Sequence, residues 1–235
     1  MVAYGIIHLM RYAILADVHS NLEALTAVLA DIERCGGVDE FLVLGDSIGY
    51  GPDPHACISS IRELPGLVIA GNHDLAAVKP GYTGFNFNPD AATAVNWTAG
   101  KLEKDDIDFL RVLPLTLEVD DFTIAHGSPR QPESEYVMSI PAAQQNFDLL
   151  KTPHALVGHT HLPAVFKQEE GGHMLNIPFK PDSDLTMDQG RFIINPGSVG
   201  QPRDGDPRAS YAIYGSEAVV IRLRRVEYDI GAIQR

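Results

Sequence analysis

Cysteine is the scarcest chemistry-bearing residue here, with two among 235 positions. Cys35 and Cys57 both fall in helix-like stretches and form no CxxC pair, which excludes a disulfide scaffold and fits the cytoplasm. Positive charge is also short: 18 Lys and Arg face 31 Asp and Glu, a net −13. A surface of that sign repels nucleic-acid phosphates and anionic membranes, so no extended nucleic-acid binding and no membrane association are expected. No apolar run approaches the ~20 residues needed to cross a bilayer. Met1 to Met10 is mildly apolar but lacks a basic leader and a small-residue cleavage site, so no export signal is read. Met10 directly precedes a strand pattern and is a second plausible start, which makes residues 1–10 an N-terminal extension. What is present is ordinary core material, 45% hydrophobic with 21% charged residues. No repeat, low-complexity tract or linker interrupts it, so one domain over 1–235 is expected.

The chain alternates. Tyr12 to Ala16 is an apolar run ending at Asp17, and Ser20-Asn21-Leu22-Glu23 resembles a capping box ahead of Leu22, Leu25, Val28, Leu29 and Ile32 at helical spacing. Phe41 to Leu44 runs into Gly45-Asp46, and Pro54 to Leu64 is helical in period. Leu67 to Ala70 ends in Gly71-Asn72-His73-Asp74. This βαβαβ pattern predicts a parallel sheet covered on both faces. Lys79 to Asn88 reads as a loop able to lie over a site. Helices are predicted over Ala91–Leu102, started by Asn88-Pro89-Asp90, and over Asp105–Leu113. Beyond it, Leu115–Val119, Phe122–Ala125, Ala155–Val157, Phe192–Ile194, Tyr211–Tyr214 and Val219–Val226 read as strands of a second sheet. A helix is predicted over Pro141–Leu150, and Lys167 to Gly190 reads as one irregular hairpin.

Five of the nine histidines, His19, His73, His126, His159 and His161, stand in short polar clusters directly after apolar runs. In α/β sheets ligands bind beyond the carboxyl ends of strands, so these residues can converge. Asp17-x-His19 and His159-x-His161 each place two ligand groups on one side of an extended turn, although such pairs also occur simply solvated. Asp46 is either a turn-forming or a functional acid. Gly71-Asn72-His73-Asp74 offers an amide oxygen, an imidazole and a carboxylate, or an Asx turn. His8, His55, His154 and His173 lack such company and are read as surface or packing residues. Together Asp17, His19, Asp46, Asn72, His126, His159 and His161 make seven nitrogen and oxygen ligands. They exceed one tetrahedral ion and suit two divalent ions, Mn, Fe, Zn, Ni or Co, bridged by one carboxylate.

The ordered set Asp17-x-His19, Gly45-Asp46, Gly71-Asn72-His73-Asp74, His126-Gly127 and Gly158-His159-x-His161 resembles the calcineurin-like metallophosphoesterase superfamily. Gly49-Tyr50-Gly51-Pro52 and Asn195-Pro196-Gly197-Ser198-Val199-Gly200 look like its small bacterial and archaeal phosphodiesterase-type branch. The resemblance spans roughly residues 11 to 215. It implies an α/β fold, a four-layer αββα sandwich of two mixed β-sheets flanked by helices. It further implies that Asp17, His19 and His161 hold one metal, that Asn72, His126 and His159 hold the other, and that Asp46 bridges. Members often carry a charged residue soon after the Gly-Asp pair, whereas Ser47-Ile48-Gly49-Tyr50 follows here, so no role is carried over there. Some members of the branch have cysteine where His73 stands, and histidine there is associated with monoester as well as diester activity.

The implied activity is hydrolysis of phosphodiester or phosphomonoester bonds of a small phosphate ester or nucleotide. Two cations facing one water lower its pKa toward ~7, so a metal-bound hydroxide is the expected nucleophile. His73, flanked by Asp74, is expected to stabilise developing charge or protonate the leaving alkoxide, and both are expected to be catalytic. Asn72 and His73 would also touch substrate. Arg203 either binds a phosphate oxygen or is a solvated loop arginine, and Tyr50, Tyr82, Phe85 and Phe87 either stack on a base or pack down. Rival readings are a phosphoprotein phosphatase, a dinucleoside polyphosphate hydrolase, a serine nucleophile at Ser128 or Ser198, and a metal-binding scaffold without turnover. The motifs carry no statement of oligomeric state.

Overall fold

The computed structural model describes residues 9–79, 81–82 and 87–234, so Met1 to His8 and Phe85 lie outside it. The first predicted strands form as β1 (Arg11–Leu15), β2 (Glu40–Val43) and β3 (Gly66–Val68), parallel to one another. They are extended by antiparallel β11 (Ala209–Gly215), β12 (Val220–Val226) and β9 (Asp184–Thr186), giving the order β3-β2-β1-β11-β12-β9. The second sheet runs β4 (Thr116–Val119), β5 (Phe122–Ala125), β6 (His154–Val157), β10 (Arg191–Pro196), β7 (Pro163–Gln168) and β8 (Met174–Ile177). In it β5, β6 and β10 are parallel and the outer pairings antiparallel. Both sheets are therefore mixed, six-stranded, and flanked by helices.

Period-2 alternation explains the layering. Tyr12, Ile14 and Ala16 point with Leu42 and Leu44 into an inter-sheet core that Phe122, Ile124, Leu156, Phe192 and Ile194 fill from the other side. The intervening Ala13, Leu15, Phe41 and Val43 pack instead against Leu25, Val28 and Ile32 of α1 (Leu22–Arg34) and Cys57 and Ile61 of α2 (Pro54–Glu63). On the second sheet Ala155, Val157 and Ile193 meet Ala143 and Phe147 of α6 (Ile140–Phe147). Each Leu, Ile or Phe fully buried in this way contributes roughly 1.5 to 3 kcal/mol.

Several expectations need correction. The α1 cap is Asn21, whose side chain accepts from Ala24 N (3.0 Å), not Ser20 with Glu23, because Ser20 Oγ is taken by Gly49 N (3.2 Å). A helix, α3 (Asn72–Val78), follows Gly71 directly, and Asp74 closes its first turn by accepting from Gly71 N (3.0 Å). Helices α4 (Pro89–Ala99) and α5 (Lys104–Arg111) start where expected, with Asn88 capping α4 through Ala91 N at 2.9 Å, but α4 ends before Leu102. The stretch from 167 to 190 is not one hairpin: β7 and β8 pair within the second sheet, while β9 crosses to pair with β12 in the first. The short α7 (Ile230–Ile233) closes the described chain.

Candidate functional site

The carboxyl ends of β1, β2, β5 and β6 and the start of α3 meet at one edge of the sandwich, and each delivers polar residues there. Asp17 and His19 follow β1, Asp46 follows β2, His126 follows β5, and His159 and His161 follow β6. All seven residues expected as ligands are buried, with 0 to 3% exposure. Five of them, Asp17, His19, Asp46, His159 and His161, have φ between 50° and 67°, the left-handed region that costs non-glycine residues energy. Backbone bonds hold these turns: Asp17 N donates to Gly45 O (3.1 Å) and His19 N to Asp46 O (3.0 Å). Two glycines admit the close approach. A Cβ on Gly71 would lie 2.1 Å from Asp46 Oδ1, and one on Gly200 would lie 1.8 Å from Val18 O.

The imidazoles are oriented from behind. His19 Nδ1 lies 3.1 Å from Ile48 O, His126 Nδ1 2.8 Å from Leu44 O and His161 Nδ1 2.6 Å from Gln201 O. A carbonyl only accepts, so each Nδ1 carries the proton and each Nε2 is turned inward, the arrangement that orients metal-binding histidines. Inside, acceptors face acceptors. His19 Nε2 and His161 Nε2 are 3.1 Å apart, and Asp17 Oδ1 lies 3.4 Å from the latter and 3.9 Å from the former. His126 Nε2 sits 3.0 Å from Asn72 Oδ1 and 3.1 Å from His159 Nδ1. Asp46 Oδ2 stands between the two sets, 3.6 Å from His19 Nε2 and 3.3 Å from His126 Nε2.

Two neutral lone pairs and a carboxylate oxygen around one point make a cation's coordination shell rather than a hydrogen-bond network, so the donor set fits divalent metal. Asp17-His19-His161, His19-Asp46-His73 and Asp46-His126-His159 each bring their ligand atoms within 4.8 Å of one another. The first and third match the expected division. The second adds His73 to the neighbourhood of Asp46.

Burial and charge act oppositely on these groups. Burial keeps His19 neutral, its pKa far below the usual histidine range, and depresses His159 to about 2 and His161 to about 3. It also pushes the Asp17 carboxyl up to about 7. At Asp46 burial is outweighed by His126, His73 and His19, which hold the carboxyl well below its ordinary value. His126 is the counterpart: burial opposes its charge, but Asp46 and Asp17 raise it to about 9. The buried carboxylates thus demand positive charge, and one imidazolium is the chain's own answer.

His73 N donates to Asp46 Oδ1 (2.8 Å), and its ring is enclosed by His19, Tyr50 and Phe87 at centroid distances of 4.9, 4.7 and 5.0 Å. Asp74 does not join it: its carboxylate accepts from Gly71 N, Ser47 N and Ile48 N at 3.0 to 3.3 Å, which ties α3 to the loop after β2. Asp74 is fully buried, and this geometry gives it a positioning part. Above the metal-ligand candidates lies a cavity of about 230 Å³ whose lining includes Asp46, Asn72, His73, His159, His161 and Arg203. Arg203 is exposed on its rim, with Nη2 donating to Gln201 Oε1 (2.7 Å). Tyr50 and Phe87 line the cavity, while Tyr82 is turned to Glu133 (2.5 Å).

Neither serine is placed as a nucleophile. Ser128 Oγ donates to Glu135 (2.5 Å) and Ser198 Oγ to Asp17 O (2.8 Å), both fully buried. The histidines set aside stay apart: His55 pairs with Asp106 (3.1 Å), His154 accepts from Phe192 N (3.2 Å) within the core, and His173 is exposed. Sequence reasoning missed Tyr136, whose ring lies flat on His159 at 4.1 Å and lines the same cavity. It is a lone tyrosine in a Ser/Pro/Glu loop, and its only signal is position, ten residues beyond His126.

Two mixed sheets with clustered His and Asp at one edge define a candidate metal centre, and the family that the chain matches makes it a metal-dependent phosphoric ester hydrolase. The chain belongs to the calcineurin-like phosphoesterase superfamily, whose domain model matches residues 10–218. It is similar to protein MJ0912 of Methanocaldococcus jannaschii, 38% identical over 226 residues covering 93% of this chain and 88% of that one. It is similar also to phosphodiesterase YfcE of Escherichia coli K12, 25% identical over 220 residues and 91% of each chain. Among solved structures, a metallophosphoesterase from Sphaerobacter thermophilus superposes with a TM-score of 0.86 at 41% identity, over 97% of this chain and 92% of that one.

Proposed function

We propose that the chain hydrolyses small phosphodiesters or phosphomonoesters at a dinuclear centre held by Asp17, His19 and His161 on one side, by Asn72, His126 and His159 on the other, and bridged by Asp46. One observation carries this reading: Asp46 Oδ2 lies within 3.6 Å of an inward-turned Nε2 from each set. When bound, Mn, Fe, Zn, Ni or Co ions would supply an activated water and neutralise phosphoryl oxygens. The chain's residues do the remainder. His19 and His161, locked by carbonyls behind them, present neutral nitrogens without reorganisation, and His126, locked likewise but raised to about 9 by the carboxylates, would release its proton when a cation takes its place. His73, its pKa lowered by burial, lines the cavity and stabilises charge on the phosphoryl group through its ring N–H or, in its protonated form, passes a proton to the leaving oxygen. Asn72 places its amide oxygen beside His126, and Arg203 at the rim supplies the guanidinium that meets a phosphate oxygen.

The size of the cavity favours a small ester over a polypeptide or nucleic acid. Among the described residues no helix is long and apolar enough to cross a membrane, and two free cysteines agree with the cytoplasm as its compartment. Removal of metal by a chelator is expected to abolish hydrolysis of a generic aryl phosphodiester, and added Mn to restore it. Full activity after rigorous metal removal defeats the proposal, and a chain that binds two ions yet turns over no ester supports the scaffold reading.

A further inference from the structure

Tyr50 stands beside His73 in a conformation that its own backbone disfavours. Its φ is 59°, the left-handed region, and strain of that kind persists only where the surrounding structure fixes it. The fixing comes from both neighbours. Gly49 N donates to Ser20 Oγ (3.2 Å) and Gly51 N to His19 O (3.0 Å), so the loop after β2 is tied to the loop after β1. Both flanking positions have to be glycine: a Cβ on Gly49 would lie 2.5 Å from His73 Nδ1, and one on Gly51 would lie 2.5 Å from His19 O. The result is one phenol ring pressed against His19 and His73, at centroid distances of 4.9 and 4.7 Å. Packing on two imidazoles needs a ring and no hydroxyl, which leaves the hydroxyl to be explained.

Tyr50 and Arg203 line the same cavity as Asp46 and His73. Burial pushes the Tyr50 phenol up, and the Arg203 guanidinium beside it offsets part of that effect. Arg203 is itself held to the site, its N donating to His161 O (3.3 Å) and its Nη2 to Gln201 Oε1 (2.7 Å). A guanidinium has donors only. The phenol oxygen next to it therefore offers a lone pair, and its own proton is left for another acceptor. A phosphoryl group entering this cavity brings such acceptors, its non-bridging oxygens, to both side chains.

We infer that the Tyr50 hydroxyl is a substrate-binding group, donating to a non-bridging phosphoryl oxygen while accepting from Arg203, so that the two side chains form one clamp on the phosphate. This rests on the hydrolase reading above and names a further substrate-binding residue of the same site. A hydrogen bond to a charged acceptor corresponds to roughly 10- to 100-fold in affinity. The bond is made to an oxygen that stays on phosphorus, so its loss falls on binding and is the same for every leaving group. That separates Tyr50 from His73, whose contribution depends on the leaving group.

The test compares the Mn-loaded wild type, Tyr50→Phe, Arg203→Met and the double variant on an alkyl and a nitrophenyl phosphate ester, with bound ions counted by elemental analysis and binding of inorganic phosphate followed by calorimetry. Tyr50→Phe keeps the ring against both histidines and should keep both ions, while KM for both esters and Kd for inorganic phosphate rise about tenfold or more. The loss should appear in KM rather than kcat. The double variant should lose less than the product of the two single losses, because each side chain orients the other. Unchanged KM and phosphate affinity in Tyr50→Phe means that the ring only packs on the histidines and overturns the inference. Loss of an ion, a fall in kcat without a rise in KM, or fully multiplicative losses in the double variant overturn it as well. If the wild type hydrolyses neither ester, the hydrolase reading fails, while phosphate binding still decides the clamp: weaker binding by Tyr50→Phe supports it, and equal binding by the two proteins, or none by the wild type, overturns it.

Discussion

Two buried polar clusters sit on the first sheet, and they are built on opposite plans. On its helix-covered side, Asp31 of α1 accepts from the Tyr211 hydroxyl (2.8 Å), from Arg224 Nη2 (3.0 Å) and Nε (3.1 Å), and from Arg34 Nη2 (3.0 Å). Every acceptor there meets a donor, and negative charge meets positive. At the strand ends Asp17 and Asp46 are also buried; each accepts one backbone N–H, from His159 (3.1 Å) and His73 (2.8 Å), but their other neighbours are inward-turned imidazole nitrogens. Burial is therefore common to structure and function, and the balance of donors to acceptors separates them. A cluster complete within the chain stabilises the fold, whereas one with surplus acceptors is completed by a cation.

The contrast is open to direct attack. Asp46→Asn should produce the largest effect: hydrolysis falling by ~10⁴ or more and bound metal falling below two ions per chain, read by elemental analysis. His73→Ala should retain both ions and lower kcat by ~10² to 10⁴, more for an alkyl than for a nitrophenyl leaving group. Loss of an ion would instead put His73 in the ligand set, as its nearness to His19 and Asp46 permits.

Asp31→Asn should do the reverse of Asp46→Asn. By taking the charge away from half-buried Arg224, which keeps Asp182 as a second partner, it should cost about 1 to 2 kcal/mol of stability in urea titration while the folded fraction keeps its turnover and two ions. The smallest effect is a pH dependence. Burial alone would raise the Asp31 carboxyl, but Tyr211, Arg224 and Arg34 outweigh it and hold it below the ordinary aspartate value. A depressed folded pKa gives stability that is full above the unfolded pKa of ~3.9 and lost as pH falls through the folded one. The stability gap between wild type and Asp31→Asn should accordingly narrow below about pH 4, and a gap constant to pH 2 would contradict the assignment.

What could be read from the sequence followed from local contrast. Apolar runs ending in Asp17, Asp46, Asn72, His126 and His159 mark strands whose last polar residues leave the core together, so both sheets and the convergence of the seven residues were legible. Long-range pairing was not. β9 is three residues long, and only its pairing with Val220–Arg222 at the edge of the first sheet makes it a strand. β7 opens on Pro163, which masks its pattern. α3 was hidden because Asn72-His73-Asp74 reads as a polar motif, although Asp74 is also the residue that closes its first turn. The same double use explains why Asp74 reads as catalytic beside His73: sequence adjacency does not reveal that its carboxylate points back to three backbone amides. Tyr136 gave no periodic signal because what places it at the site is a ring contact with His159, in a different loop.

The bond from His159 N to Asp17 (3.1 Å) spans 142 residues, and Asp17 and His161 lie on loops that leave different sheets. No local hairpin or βαβ unit can assemble this edge by itself, so the loop-closure entropy of nearly two thirds of the chain has to be met before these side chains converge. A partly folded chain therefore lacks this edge, and a cation held by residues of both sheets would act as a late rivet, favouring the assembled state over their separation.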